Sequence, residues 1–204
     1  MSNRIRLSAN LGSPERQRLA EQAELLIRAL RSRENSVQEL AIVQLSLLGP
    51  KVVPYLATAL EKALEEVDSG RGAYSSKSDP ERGIEGICRT LGIIKDSSTV
   101  LDLAEAMPRR EAVEALAKIG GERALELVIG TIENDSSKGG PLRIYETRVS
   151  SAGGEDNSEF VKRVFILFGS TGRKRLEEQA RKGSPSKREA IAEILRILET
   201  GSRP

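Results

Sequence analysis

Apolar side chains recur along this chain at helical spacing, and the same arrangement returns ahead of four glycines. Leu48, Leu91, Ile119 and Phe168 stand one residue before Gly49, Gly92, Gly120 and Gly169. Leu45, Cys88, Leu116 and Phe165 stand four before them, and Ala41, Ile84, Ala112 and Val161 eight before. Such offsets fall on one face of a helix with about 3.6 residues per turn, so each segment predicts the same buried stripe.

Each glycine is expected to end its helix in a positive-φ conformation and let the chain reverse. A second helix then follows, marked by Leu56, Leu127 and Leu176 seven residues on, with Val53 and Ala124 one turn earlier in two copies. The copy after Gly92 keeps register only with four extra residues, which moves its leucine to Leu103 and leaves Asp96, Ser97 or Ser98 as caps. Gly83 and Gly86 lie inside the preceding helix, where each costs about 1 kcal/mol against Ala, so they predict close helix approach or a weaker repeat.

The pattern predicts an all-α fold: an α-solenoid of about four helical hairpins, in one domain spanning 1–204. The hairpins cover approximately 36–67, 81–107, 109–134 and 157–183. A helix over 14–32, with Leu19, Ala23, Leu26, Ile27 and Leu30 on one face, caps one end; another over 186–199, with Ala190, Ile191, Ile194, Leu195 and Leu198, caps the other. Two Gly/Ser-rich insertions, 68–79 and 134–158, separate the hairpins. No stretch alternates convincingly as a strand, 142–149 being the nearest approach.

Composition narrows the chemistry. Aromatics are 3% of the chain and Trp is absent, so the core is built from Leu, Ile, Val and Ala, with Phe160, Phe165 and Phe168 read as core. There is no histidine, which removes imidazole base catalysis and His metal ligation. The single cysteine, Cys88, occupies the stripe position of Leu45, Leu116 and Phe165 and reads as packed core rather than nucleophile. No catalytic, cofactor or metal set emerges, and the expectation is a non-enzyme. With no signal-like start, no apolar run near the roughly 18 residues of a membrane helix and one cysteine, a cytoplasmic protein without membrane partner is expected.

The net charge of +2 is unevenly spread: residues 1–33 sum to +4, 34–159 to −8 and 160–204 to +6. Basic ends and an acidic centre suit different partners along the length, weak self-association of an otherwise monomeric chain, or simply solvated faces.

The segment from Arg109 to Asp135 resembles the HEAT-like repeat of bilin-lyase-type repeat proteins, within the armadillo-like α-solenoids. It has a basic residue before the first helix, Ala-rich packing and Leu-x-x-Ile-Gly at Leu116 to Gly120. Ala41 to Leu60 is similar to a second copy, with Pro50 and Pro54 opening its second helix. The resemblance spans about Ser36 to Lys182 and implies fold more than function. It implies a scaffold or adaptor that binds another protein on a concave surface. As an alternative, the same resemblance implies an accessory subunit of a chromophore lyase or chaperone. The absence of His-Glu pairs removes the iron hydroxylase branch.

Two groups of residues are candidate binding sites. Tyr74, Arg143, Ile144, Tyr145 and Arg148 lie in the insertions, which are expected to emerge on one edge and reach a protein partner. Ser170, Thr171, Arg173, Lys174 and Arg175, extended by Lys182, Lys187 and Arg188, place free amides and cations at a helix start, an arrangement able to hold phosphate or nucleic acid. Three cations there oppose the helix dipole unless an anion, or carboxylates such as Glu177 and Glu178, answer them.

Overall fold

The computed structural model describes residues 14–69, 79–107, 109–130, 132 and 157–200. Among the described residues every regular element is helical. In chain order they are α1 (Pro14–Ala29), α2 (Asn35–Leu48), α3 (Val53–Asp68), α4 (Asp79–Ile94), α5 (Val100–Glu105), α6 (Arg110–Ile119), α7 (Gly121–Gly130), α8 (Asn157–Lys182) and α9 (Pro185–Thr200). Short 3₁₀ turns, Gly49–Val52 and Ser97–Thr99, lead into α3 and α5.

The stripe expected ahead of the glycines is the core. Leu45, Cys88, Leu116 and Phe165 are buried, as are Ala41, Ile84, Ala112 and Val161; one residue before the glycines, Leu91 is buried and Leu48, Ile119 and Phe168 pack against the core at its margin. Complete burial of each large aliphatic side chain contributes about 1.5–3 kcal/mol. The helices carrying this stripe lie side by side, α2 against α4, α4 against α6 and α6 against α8, while α3, α5 and α7 form a second contacting series. Helix α1 packs on α2 and α3, and α9 packs on α8.

Three hinges share one backbone geometry. Gly49 has φ 65° and ψ −148°, Gly120 φ 74° and ψ −162°, and Gly169 φ 59° and ψ −147°. The sign of φ is as expected, but ψ lies outside the left-handed helical region, in a zone nearly exclusive to glycine. Gly169 therefore bends α8 into two limbs.

The fourth hinge is displaced. Gly92 is helical and buried, α4 continues to Ile94, and the positive φ of 58° falls on Lys95. Gly92 stays helical because it serves packing: a Cβ there would meet the Cα of Ala115 in α6 at 2.9 Å. The chain then restarts on Asp96, whose Oδ1 accepts from the Ser98 amide at 2.9 Å, and Leu103 is buried as expected. In α7 Ala124 is buried as expected, while Leu127 packs at the core margin beside fully buried Val128.

Gly83 and Gly86 mark close approach. Added Cβ atoms would reach Cγ of Arg31 at 3.2 Å and Cβ of Leu30 at 3.0 Å. This junction is tied by polar contacts absent from the apolar pattern. Buried Gln38 donates from Nε2 to the Leu30 carbonyl at 2.9 Å and the Arg82 carbonyl at 3.1 Å, and Arg82 Nε donates to the Arg31 carbonyl at 3.2 Å. Leu30 and Arg31 form the turn that follows α1, where carbonyls lack helical partners, so these side chains satisfy groups that burial would otherwise penalise.

At the far end, α9 begins at Pro185, one residue before the expected 186, and the Oγ of Ser184 ahead of it accepts from the Lys187 amide at 3.3 Å. Ala190, Ile191, Ile194 and Ile197 are buried, with Leu195 and Leu198 packed beside the core.

Candidate functional site

The basic cluster after Gly169 begins on the second limb of α8. Ser170 and Thr171 are exposed. Arg173 is held by two carboxylates, Glu177 at 3.2 Å on its own helix and Glu199 at 3.0 Å on α9. Arg175 pairs with Glu178 at 2.8 Å and with Glu126 of α7. The carboxylates that the sequence demanded as an answer to this cation cluster are therefore in place, and two come from neighbouring helices. The hydrogen bond from Arg175, with Lys174 and Lys182 adding to the field, holds the Glu178 carboxyl below its ordinary range.

The remaining cations divide. Lys174, Lys182 and Arg188 are exposed, whereas Lys187 is buried at the α8–α9 junction, its Cβ and Cδ beside Gly183. Tyr74, Arg143, Ile144, Tyr145 and Arg148 lie outside the described residues, as does the 142–149 stretch.

Ion pairs join consecutive helices of the first series. Arg89 of α4 grips Glu39 of α2 in a bidentate pair at 2.6 and 2.8 Å. This bond holds the Glu39 carboxyl below, and the Arg89 guanidinium above, their ordinary values. Arg163 of α8 reaches Glu114 of α6 at 3.1 Å, and Lys118 binds the same carboxylate at 2.8 Å. Burial alone would raise the Glu114 carboxyl, but Lys118 and Arg163 together hold it low. Arg31 pairs with Glu66 of α3 at 2.8 Å. Such exposed or half-exposed pairs contribute up to about 1 kcal/mol each, so they set register between helices more than they stabilise the fold.

Phe160 is fully buried beneath two guanidinium groups, Arg110 at 4.1 Å and Arg163 at 5.5 Å from the ring centroid. The charges cover an apolar ring, a structural arrangement. Cys88 is wholly buried and burial pushes its thiol far up, which disfavours the nucleophilic thiolate. Among the described residues no group of His, Cys, Asp and Glu is placed to hold a metal ion.

Two features escaped the sequence reading. Asn35–Asp68 is long and apolar enough, by length and composition, for a membrane helix. It is instead two helices broken at Gly49, which send Ala41, Leu45, Leu56 and Leu60 into the protein core. The second feature is the opposite side of α2, where Leu40, Val43 and Leu47 are exposed. Their spacing of three and four is a second apolar stripe in the sequence, out of register with the stripe that the glycines mark.

No protein-family model matches the chain, and no curated protein matches it.

Proposed function

We propose that the chain is a HEAT-like α-solenoid, capped by α1 and α9, that acts as a non-enzymatic scaffold or adaptor and binds another protein on the surface lined by α3, α5 and α7, with its inserted segments assisting. The observation that carries this reading is the repetition: one hinge geometry at Gly49, Gly120 and Gly169, and one stripe, in helices that lie side by side. An array of this kind presents successive second helices as a continuous surface, on which many side chains share the binding energy. Residues available there include Thr58, Lys62 and Glu65 of α3, Leu101 of α5, and Glu122 and Arg123 of α7.

The test is capture from nuclease-treated lysate of the source organism with wild type and a Glu65→Lys/Leu101→Asp variant. Both positions are exposed, so the variant keeps its fold. A protein retained by wild type and lost by the variant supports the reading; equal retention opposes it.

The exposed Lys174, Lys182 and Arg188 support a second reading, binding of nucleic acid or phosphate near the C-terminus. It is weaker because Arg173 and Arg175 already have carboxylate partners. Binding that falls steeply with salt and is lost in a triple Glu variant of the three exposed cations favours it. A role beside a chromophore lyase rests on the repeat resemblance alone, and absence of tetrapyrrole binding removes it.

A further inference from the structure

The helices are not joined equally along the chain. Around α4 the contacts are close: a Cβ on Gly86 would meet Leu30 at 3.0 Å, and one on Gly92 would meet the Cα of Ala115 in α6 at 2.9 Å. Buried Gln38 adds hydrogen bonds to the Leu30 and Arg82 carbonyls. Joints of this kind cannot slide without disrupting close packing, so α1 to α6 hold one shape, and α7 packs back on α6.

The step from α6 and α7 to α8 is built differently. Gly121 and Gly130 of α7 and Gly169 of α8 have nothing among the described residues within 4 Å of where a Cβ would stand, so none of them draws two helices together. Charged groups bridge the step instead. Arg163 on the first limb of α8 reaches Glu114 of α6 at 3.1 Å, Arg175 on the second limb pairs with Glu126 of α7, and the Arg110 guanidinium of α6 lies over the Phe160 ring at 4.1 Å. The two ion pairs fall on either side of the bend at Gly169, and their side chains are 25% to 42% exposed, so salt reaches them.

Helix α8 also has an apolar partner of its own. Helix α9 packs on α8 and buries Ala190, Ile191 and Ile194, a core that the pair keeps when it moves together. The buried Val161, Val164 and Phe165 of the first limb oppose full detachment, which leaves a tilt as the accessible motion.

From this contrast we infer that α8 and α9 move as one unit that pivots against α6 and α7 on a salt-sensitive joint, latched by the Glu114–Arg163 and Glu126–Arg175 pairs. Ionic strength, or a charged partner that competes for Arg163 or Arg175, resets the angle of the joint and with it the shape of the helix array. The joint stands whether or not α3, α5 and α7 form a binding surface.

The experiment measures distances by double electron–electron resonance on the full chain in a Cys88→Ala background, between spin labels at Lys62→Cys in α3 and Glu189→Cys in α9, both exposed positions. A control pair, Lys62→Cys and Glu122→Cys in α7, stays on one side of the joint. At about 0.01 M salt, where the screening length is about 30 Å, one narrow α3–α9 distance is expected. At about 1 M, where it is about 3 Å, a second α3–α9 population is expected to grow about tenfold while the α3–α7 distance is unchanged. Glu114→Gln/Glu126→Gln is expected to show that second population already at low salt. Glu39→Gln, which breaks the Arg89 pair between α2 and α4, is expected not to. An α3–α9 distance indifferent to salt and to the double variant overturns the inference, as does equal broadening of the α3–α7 distance or an equal response to Glu39→Gln. Where circular dichroism shows that Cys88→Ala does not fold, the native chain serves as background, because its buried Cys88 is sealed from the label.

Discussion

Gly92 of α4 and Ala115 of α6 touch backbone to backbone: a methyl group on Gly92 would sit 2.9 Å from the Ala115 Cα and 3.1 Å from its Cβ. Neither atom is the end of a flexible side chain, so the two helices must part to admit it. Gly92→Ala is expected to cost about 1–3 kcal/mol by overpacking, despite the better helix propensity of Ala. Gly49→Ala meets nothing within 4 Å but must hold φ at 65°, so its cost, about 1–3 kcal/mol, is backbone strain instead. Urea unfolding of both variants measures the costs. A second substitution, Ala115→Gly, is expected to restore part of the stability lost at Gly92 and none of that lost at Gly49.

Lys95 carries the reversal that three other hinges give to glycine, at φ 58° with an L side chain. Lys95→Gly is expected to stabilise the chain by about 1 kcal/mol, the relief of a left-handed conformation less the added freedom of the unfolded chain. Thermal unfolding checks this, and a lower midpoint would show that the Lys95 side chain contributes more than its backbone costs.

Glu114 binds Lys118 and Arg163 at once, and its carboxyl is held below the ordinary value. A lowered folded-state pKa means that the unfolded chain binds the proton more readily, so this stabilisation is full above the unfolded value of about 4.3 and is lost as pH falls through the folded one. Glu39, lowered by its Arg89 hydrogen bond, acts in the same direction. Stability should fall on acidification below about pH 5, and Glu114→Gln should flatten that decline while lowering stability at neutral pH. Urea midpoints across pH for wild type and variant supply the comparison.

Cys88 is sealed in the core, with its thiol pushed far up by burial. Labelling by a disulfide reagent is expected to be about a thousandfold or more slower in the folded protein than in denaturant, because reaction waits for opening. Rapid native labelling would show that α4 opens readily, as two internal glycines allow.

The sequence made the helices legible because burial repeats at fixed offsets: Leu45, Cys88, Leu116 and Phe165 occupy equivalent core positions. What it concealed were demands made by distant neighbours. Gly92 fits both a hinge and a helix crossing, and only Ala115, 23 residues on, decides for the crossing. The Gln38 contacts at the α1–α2–α4 junction likewise depend on Leu30 and Arg82 meeting in space. Of the basic cluster, Glu177 and Glu178 were visible as local partners, but Glu126 and Glu199 arrive from α7 and α9.

If successive second helices form one protein-binding surface, hydrogen–deuterium exchange on the nuclease-resistant complex registers it. Slowed exchange upon partner binding across α3, α5 and α7 together is the expected result. Slowing confined to residues 170–200, or a complex that disappears on nuclease treatment, would contradict it and assign binding to the C-terminal basic surface.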